Sequence, residues 1–178
     1  MTRHRRLLLV AVTVGVVVAA ISTSSSAATT DRGGNVDREQ LSGYAETPLA
    51  LSSSAGGQFR IQVKGQEITW RLSYEDFGTT VTQSHIHFGS PAQSGGISVF
   101  LCTNLGNGPA GTQVCPPAPA TITGTITPAD VIGPTGQGIG AGEFVELVDA
   151  IHAGFTYVNV HSTAFPAGEI RAQLGHQH

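Results

Sequence analysis

The chain has 178 residues, with 9 Lys and Arg against 12 Asp and Glu, a formal charge of −3, and only 12% charged residues. Such scarce charge excludes a coiled coil or helical bundle and a nucleic-acid binder, which needs a basic patch against phosphate. The 40% apolar content excludes a disordered acidic tail, while 23 glycines among few charges point to one all-β domain rich in turns.

Residues 1–28 read as a secretory signal peptide. Arg3, Arg5 and Arg6 open it, an apolar run from Leu7 to Ile21 follows, and Ser26-Ala27-Ala28 suits a signal peptidase. The apolar run is 15 residues long, short of the roughly 20 that span a bilayer, so export is favoured over an uncleaved anchor. Cleavage removes three Arg and no acid, leaving 6 basic and 12 acidic residues, a net charge of −6. The mature protein is therefore expected to be secreted, without a membrane span, and ill-suited to nucleic acid or an anionic membrane.

Residues 29–40 are polar and read as a flexible N-terminal arm. Period-two alternation then begins. Phe59, Ile61 and Val63 alternate with Gln58, Arg60 and Gln62; Ile68, Trp70, Leu72 and Tyr74 alternate with Thr69, Arg71 and Ser73. Ile97, Val99 and Leu101, and later Ile170, Ala172 and Leu174, repeat the pattern. Such runs between Gly-rich turns are half-buried antiparallel strands, and Lys64-Gly65 marks a tight hairpin. Thr127-Pro128-Ala129-Asp130 carries the start signals of a short helix that stops near Gly133. A second helix is predicted from Glu143 to Ala153, because Phe144, Leu147, Val148 and Ile151 share one face and Gly154 supplies the stop. The whole is a sandwich or small barrel of seven or eight strands with one or two short helices. Cys102 and Cys115 fall in the exported part and are expected to form a disulfide; service as metal-binding thiols is the alternative, disfavoured because no CxxC spacing is present.

The histidines carry the most chemistry. In VTQSHIHFG, His85 and His87 stand two apart on a strand and point to one face, with Ile86 on the other. Paired imidazoles of this kind are half of a copper or zinc site. In Tyr157-Val158-Asn159-Val160-His161, the valines face the core, and Tyr157, Asn159 and His161 share the opposite face. A simple hairpin into Glu169-Ile170-Arg171 sets His161 opposite Glu169 and Asn159 opposite Arg171. This predicts an outward polar cluster in which a carboxylate orients a ligating His. Read plainly, Glu169 and Arg171 are a surface charge pair and the histidines a structural network. His152 falls in the last helical turn, and His176 and His178 at the terminus. No GxSxG elbow appears, and Glu75-Asp76 are adjacent rather than paired across a face, so no catalytic residue is assigned.

HIHFGSPAQSGGISVFLC, from His85 to Cys102, and AGFTYVNVHSTAFPAGEIRAQL, from Ala153 to Leu174, resemble the CHRD domain, repeated in the animal protein chordin and single in many exported bacterial proteins. The resemblance runs from about Leu41 to Leu174 and leaves 175–178 as a C-terminal tail. It implies an immunoglobulin-like β-sandwich or barrel, distantly like copper–zinc superoxide dismutase, with His85 and His87 as the HxH pair and His161 as the later ligand. The chain departs from the dismutase in offering no metal-bridging His and no His-rich zinc loop.

Three readings follow. The first is a secreted, non-catalytic binding or structural module with a copper or zinc site, acting on an extracellular protein or polysaccharide. The second is a copper-dependent redox enzyme resembling superoxide dismutase, with His85, His87 and His161 around an open position. The third is a hydrogen-bonded network of His85, His87, His161, Asn159, Glu169 and Arg171 that locks the terminal hairpin to the HIH strand.

Overall fold

Alternating side chains become strands in this molecule wherever one set can be buried. The computed structural model describes residues 36–175. Residues 1–28, read above as a signal peptide, and His176 and His178 lie outside the described residues. Eight strands follow in chain order: β1 (Val36–Ser42), β2 (Gly56–Lys64), β3 (Glu67–Glu75), β4 (Val81–Phe88), β5 (Gly96–Thr103), β6 (Ala120–Ile126), β7 (Thr156–Ser162) and β8 (Ile170–Leu174). One helix, α1 (Phe144–His152), lies between β6 and β7. The fold is all-β, as the alternation predicts. Residues 36–40, read above as the end of an arm, instead belong to β1, which pairs along its length with β2.

The strands make one antiparallel sheet in the order β5-β4-β7-β8-β1-β2-β3-β6, curled into a nearly closed barrel. The edge strands β5 and β6 are bridged by the segment between them. Thr103 N–H on β5 donates to the Gln113 carbonyl at 2.9 Å, and Gln113 Nε2 donates to the Thr123 carbonyl on β6 at 3.2 Å. Cys102 and Cys115 form the expected disulfide beside this bridge. An exposed pair of sheet edges is thereby covered, which protects against edge-to-edge pairing.

The predicted hairpin joins β2 to β3. Lys64 pairs with Glu67, and Gly65 adopts a φ of +59°, a conformation that suits glycine in a tight turn. Phe59, Ile61, Ile68, Leu72, Ile86, Val158, Ile170 and Leu174 point into the barrel and are fully or almost fully buried. Each such aliphatic or Phe side chain stabilises the fold by roughly 1.5–3 kcal/mol. Gly124 stands opposite Trp70, where an added Cβ would lie 2.6 Å from the indole, so a side chain there would displace the ring. Helix α1 adds Phe144, Leu147 and Ile151 to the same core. The Thr127-Pro128 start signal yields only a single 3-10 turn, Pro128–Asp130, with Thr127 N–H donating to the Asp130 carboxylate at 2.8 Å. Among the described residues no helix is long and apolar enough to cross a membrane.

Candidate metal centre

The site is built on the outer side of the β4–β7–β8 wall. Strand β4 lies between β5 and β7, with His85 opposite Asn159 and His87 opposite Tyr157. Strand β7 continues to β8 with Asn159 opposite Arg171, the register expected from the hairpin. The HIH strand and the terminal hairpin are therefore neighbours. Against β5 the pairing of β4 slips twice, between Ser84 and His85 and between Ile86 and His87. Bulges of this kind re-aim side chains and recur beside functional sites.

The three rings converge. One ring nitrogen from each of His85, His87 and His161 lies within 4.8 Å of the other two. His85 Nδ1 is 3.1 Å from His161 Nε2. A carbonyl oxygen only accepts, so backbone contacts assign two of the tautomers. His87 Nδ1–H donates to the Gly95 carbonyl at 2.9 Å, and His161 Nδ1–H donates to the Pro166 carbonyl at 3.0 Å. Each Nε2 therefore carries no hydrogen, and that of His161 accepts from His85 Nδ1–H. His87 Nε2 is buried with no hydrogen-bond partner, as is His85 Nε2. Fixing a ring through its far N–H is how proteins orient a metal-binding imidazole.

The predicted outward cluster proves to be buried. His85 is 1% exposed, His87 7%, His161 5% and Arg171 2%. Every residue of β7 is buried, because the chain around 46–47 and 90–95 folds over the sheet and adds a polar layer outside it. Burial pushes the His85 imidazolium down to about 2, helped by the charge it would share with His161 and His87. Burial likewise pushes His161 down to about 4 and lowers His87, where the Gly95 contact opposes the shift. All three rings are thus neutral at physiological pH, the form that binds a metal ion.

Arg171 staples the covering layer. Its Nη1 donates to Thr47 Oγ1 at 2.6 Å and to the Gln93 carbonyl at 2.9 Å, and its Nη2 donates to the Ser90 carbonyl at 2.9 Å. The guanidinium carbon sits 3.4 Å from the centroid of the Tyr157 ring, and that ring stacks on His87 at 4.8 Å. Tyr157 Oη also accepts from Gly95 N–H at 3.0 Å, so one glycine backbone positions both rings.

Glu169 does not orient a histidine. Its carboxylate accepts from Ser53 Oγ at 2.6 Å and from Ser162 Oγ, and the carbonyl of Pro166 takes the role at His161. Nor are Glu169 and Arg171 a surface charge pair, since both are buried and Arg171 binds carbonyl and hydroxyl oxygens. His152 stays exposed on the last turn of α1 and does not join the cluster.

Sequence reasoning missed Glu46. It is buried, its Oε1 has no hydrogen-bond partner, and burial pushes it up to about 7 while nearby Arg171 pulls the other way. A Cβ at Gly168, where φ is +131°, would lie 2.6 Å from Glu46 Oε1 and 2.9 Å from Asn159 Nδ2. Glu46 lies outside any alternating run, so no local signal marks it.

The chain matches no curated protein and no solved structure. The family model of the CHRD domain matches residues 38–174, across the barrel, the disulfide and all three converging histidines. With most of its length covered by that match, the chain belongs to the CHRD domain family.

Proposed function

We infer that the protein is an exported, non-catalytic binding or structural module whose His85, His87 and His161 hold one copper or zinc ion. The observation that carries the metal reading is the set of neutral imidazoles converging within 4.8 Å, two of them locked by backbone carbonyls so that Nε2 faces the cluster. Neutral imidazole nitrogens suit copper and zinc. When bound, such an ion would cross-link β4 to β7 and supply the positive charge that the buried rings cannot carry themselves. The basic, apolar and small-residue order of residues 1–28, ahead of the domain at 41–174, and a disulfide of the kind that persists outside the cell support the export reading.

The competing copper redox reading needs a coordination position open to a small oxidant. The covering layer, which leaves each ring at most 7% exposed, favours retention of an ion over turnover on it. The test is metal content by mass spectrometry after loading the exported protein with copper or zinc and dialysing. His176→Gln/His178→Gln is present throughout to remove adventitious tail ligands. One equivalent is expected to be retained, and to be lost in His85→Ala/His87→Ala. No retention would return the cluster to a purely structural network. Superoxide dismutation by the copper-loaded protein beyond that of free copper would revive the redox reading.

A further inference from the structure

We propose that the outer face of β1, β2 and β3 binds an anionic polysaccharide through a row of three arginines. The register sets Arg38 opposite Arg60 and Arg60 opposite Arg71, so three guanidinium-bearing positions stand side by side on adjacent strands. With strands about 4.8 Å apart, the row spans roughly 10 Å. All three are exposed. Like charges placed directly opposite one another in a sheet destabilise it, and none of the residues directly opposite or diagonal to Arg60 and Arg71 is acidic. Arg71 faces Thr123 on β6, and the diagonal neighbours are Gln58, Gln62, Thr69 and Ser73. Arg38 donates to Gln58 Oε1 at 2.6 Å.

The concentration of charge is complete. Residues 36–175 contain five Lys or Arg (Arg38, Arg60, Lys64, Arg71 and Arg171) against eleven Asp or Glu. Arg171 is buried, so every exposed Lys or Arg side chain among the described residues lies on this one face of an otherwise acidic domain. Arg38, Gln58, Arg60, Arg71 and Ser73 line a depression of about 340 Å³. A second depression of about 430 Å³ shares Gln58 and Ser73 and runs past Gln40 and Thr121 to Glu75, whose carboxylate marks the end of the basic stretch.

The chemistry of the trough selects the partner. Arginine forks bind carboxylate or sulfate oxygens two at a time, and the flanking amides and hydroxyls match sugar hydroxyls. Nucleic acid fits less well, because the aromatic residues of these strands, Phe59, Trp70 and Tyr74, point into the core and leave no stacking surface. A broad anionic membrane would meet the net negative charge of the whole domain, whereas a linear polymer meets only the trough.

The inference deepens the binding reading above and is independent of the metal. Binding by the exported protein is measured on immobilised heparin, a sulfated polymer, and on polygalacturonate, a carboxylated one, with duplex DNA in parallel. Wild type is expected to bind at least one polysaccharide, with affinity falling steeply as salt rises from about 50 to 200 mM. Arg60→Gln/Arg71→Gln should weaken binding at least tenfold and flatten the salt dependence, while thermal unfolding stays unchanged or rises. The same binding in the metal-free protein would separate this face from the His cluster. Absence of binding to both polysaccharides, or an unaltered affinity in the double variant, would overturn the proposal, and tighter binding to DNA would replace the partner.

Discussion

Two stretches of the same outer sheet surface treat arginine in opposite ways. On β7–β8, Arg171 is covered by a polar layer and its donors end on Thr47, Ser90 and Gln93. On β1–β3, Arg38, Arg60 and Arg71 lie bare in a row, with no carboxylate opposite them. What separates the two regions is the chain that folds over one of them. A covered arginine is satisfied by the fold and holds it together; an uncovered one is available to a partner.

Removing one arginine from each region separates the two roles. Arg171→Ala should destabilise the protein by about 3 kcal/mol or more, because it leaves several buried acceptors and the Tyr157 face without their charged donor. Arg71→Ala should change stability by less than about 0.5 kcal/mol. Urea denaturation of both variants checks this, and equal effects would dissolve the distinction.

A somewhat smaller effect is expected at the edge of the covered region. Gly168→Ala combines a positive φ with a Cβ placed against Glu46 and Asn159, and should cost about 1–3 kcal/mol. Gly65→Ala on the bare hairpin also has positive φ, but meets nothing within 4 Å and should cost less. The difference between the two variants reports crowding together with the harsher φ of +131° at Gly168 against +59° at Gly65.

The regions should also differ in their response to pH. In the metal-free protein, His85 and His161 are held well below the ordinary value of 6.5, at about 2 and about 4. The unfolded chain therefore takes up protons that the folded one refuses, and the stability they contribute is present above 6.5 and lost as pH falls toward 4. Thermal unfolding should show that loss, and His85→Gln/His161→Gln should flatten it. Glu46 works in the opposite sense. Raised from 4.5 to about 7, it contributes stability present below 4.5 that is lost as pH rises through 7. Glu46→Gln should remove this alkaline loss, the smallest of these effects.

Much of the barrel was legible in the chain, since Phe59 to Tyr74 alternate and bury one face, and Ile170 to Leu174 alternate in residue type although both of their faces are covered. The HxH pair and the Asn159–Arg171 register came from the same period. Strand β1 was not legible, because Asp37 and Glu39 take the positions in phase with buried Leu41 and erase the apolar rhythm. The burial of the cluster was hidden for another reason. Its cover comes from Thr47, Ser90 and Gln93, which reach Arg171 from 78 to 124 residues away, and local periodicity carries no such information. The arginine row was equally hidden. Arg60 and Arg71 each read as one polar position in an alternation, and only the pairing of strands sets them side by side.

The central claim is that β4 and β7 jointly hold one ion. X-ray absorption on the zinc-loaded protein carrying His176→Gln/His178→Gln tests it most directly. Three imidazole nitrogens at about 2.0–2.1 Å are predicted, with the imidazole signature lost in His161→Ala. A zinc shell of oxygen alone, or one unaltered by His161→Ala, would contradict the account.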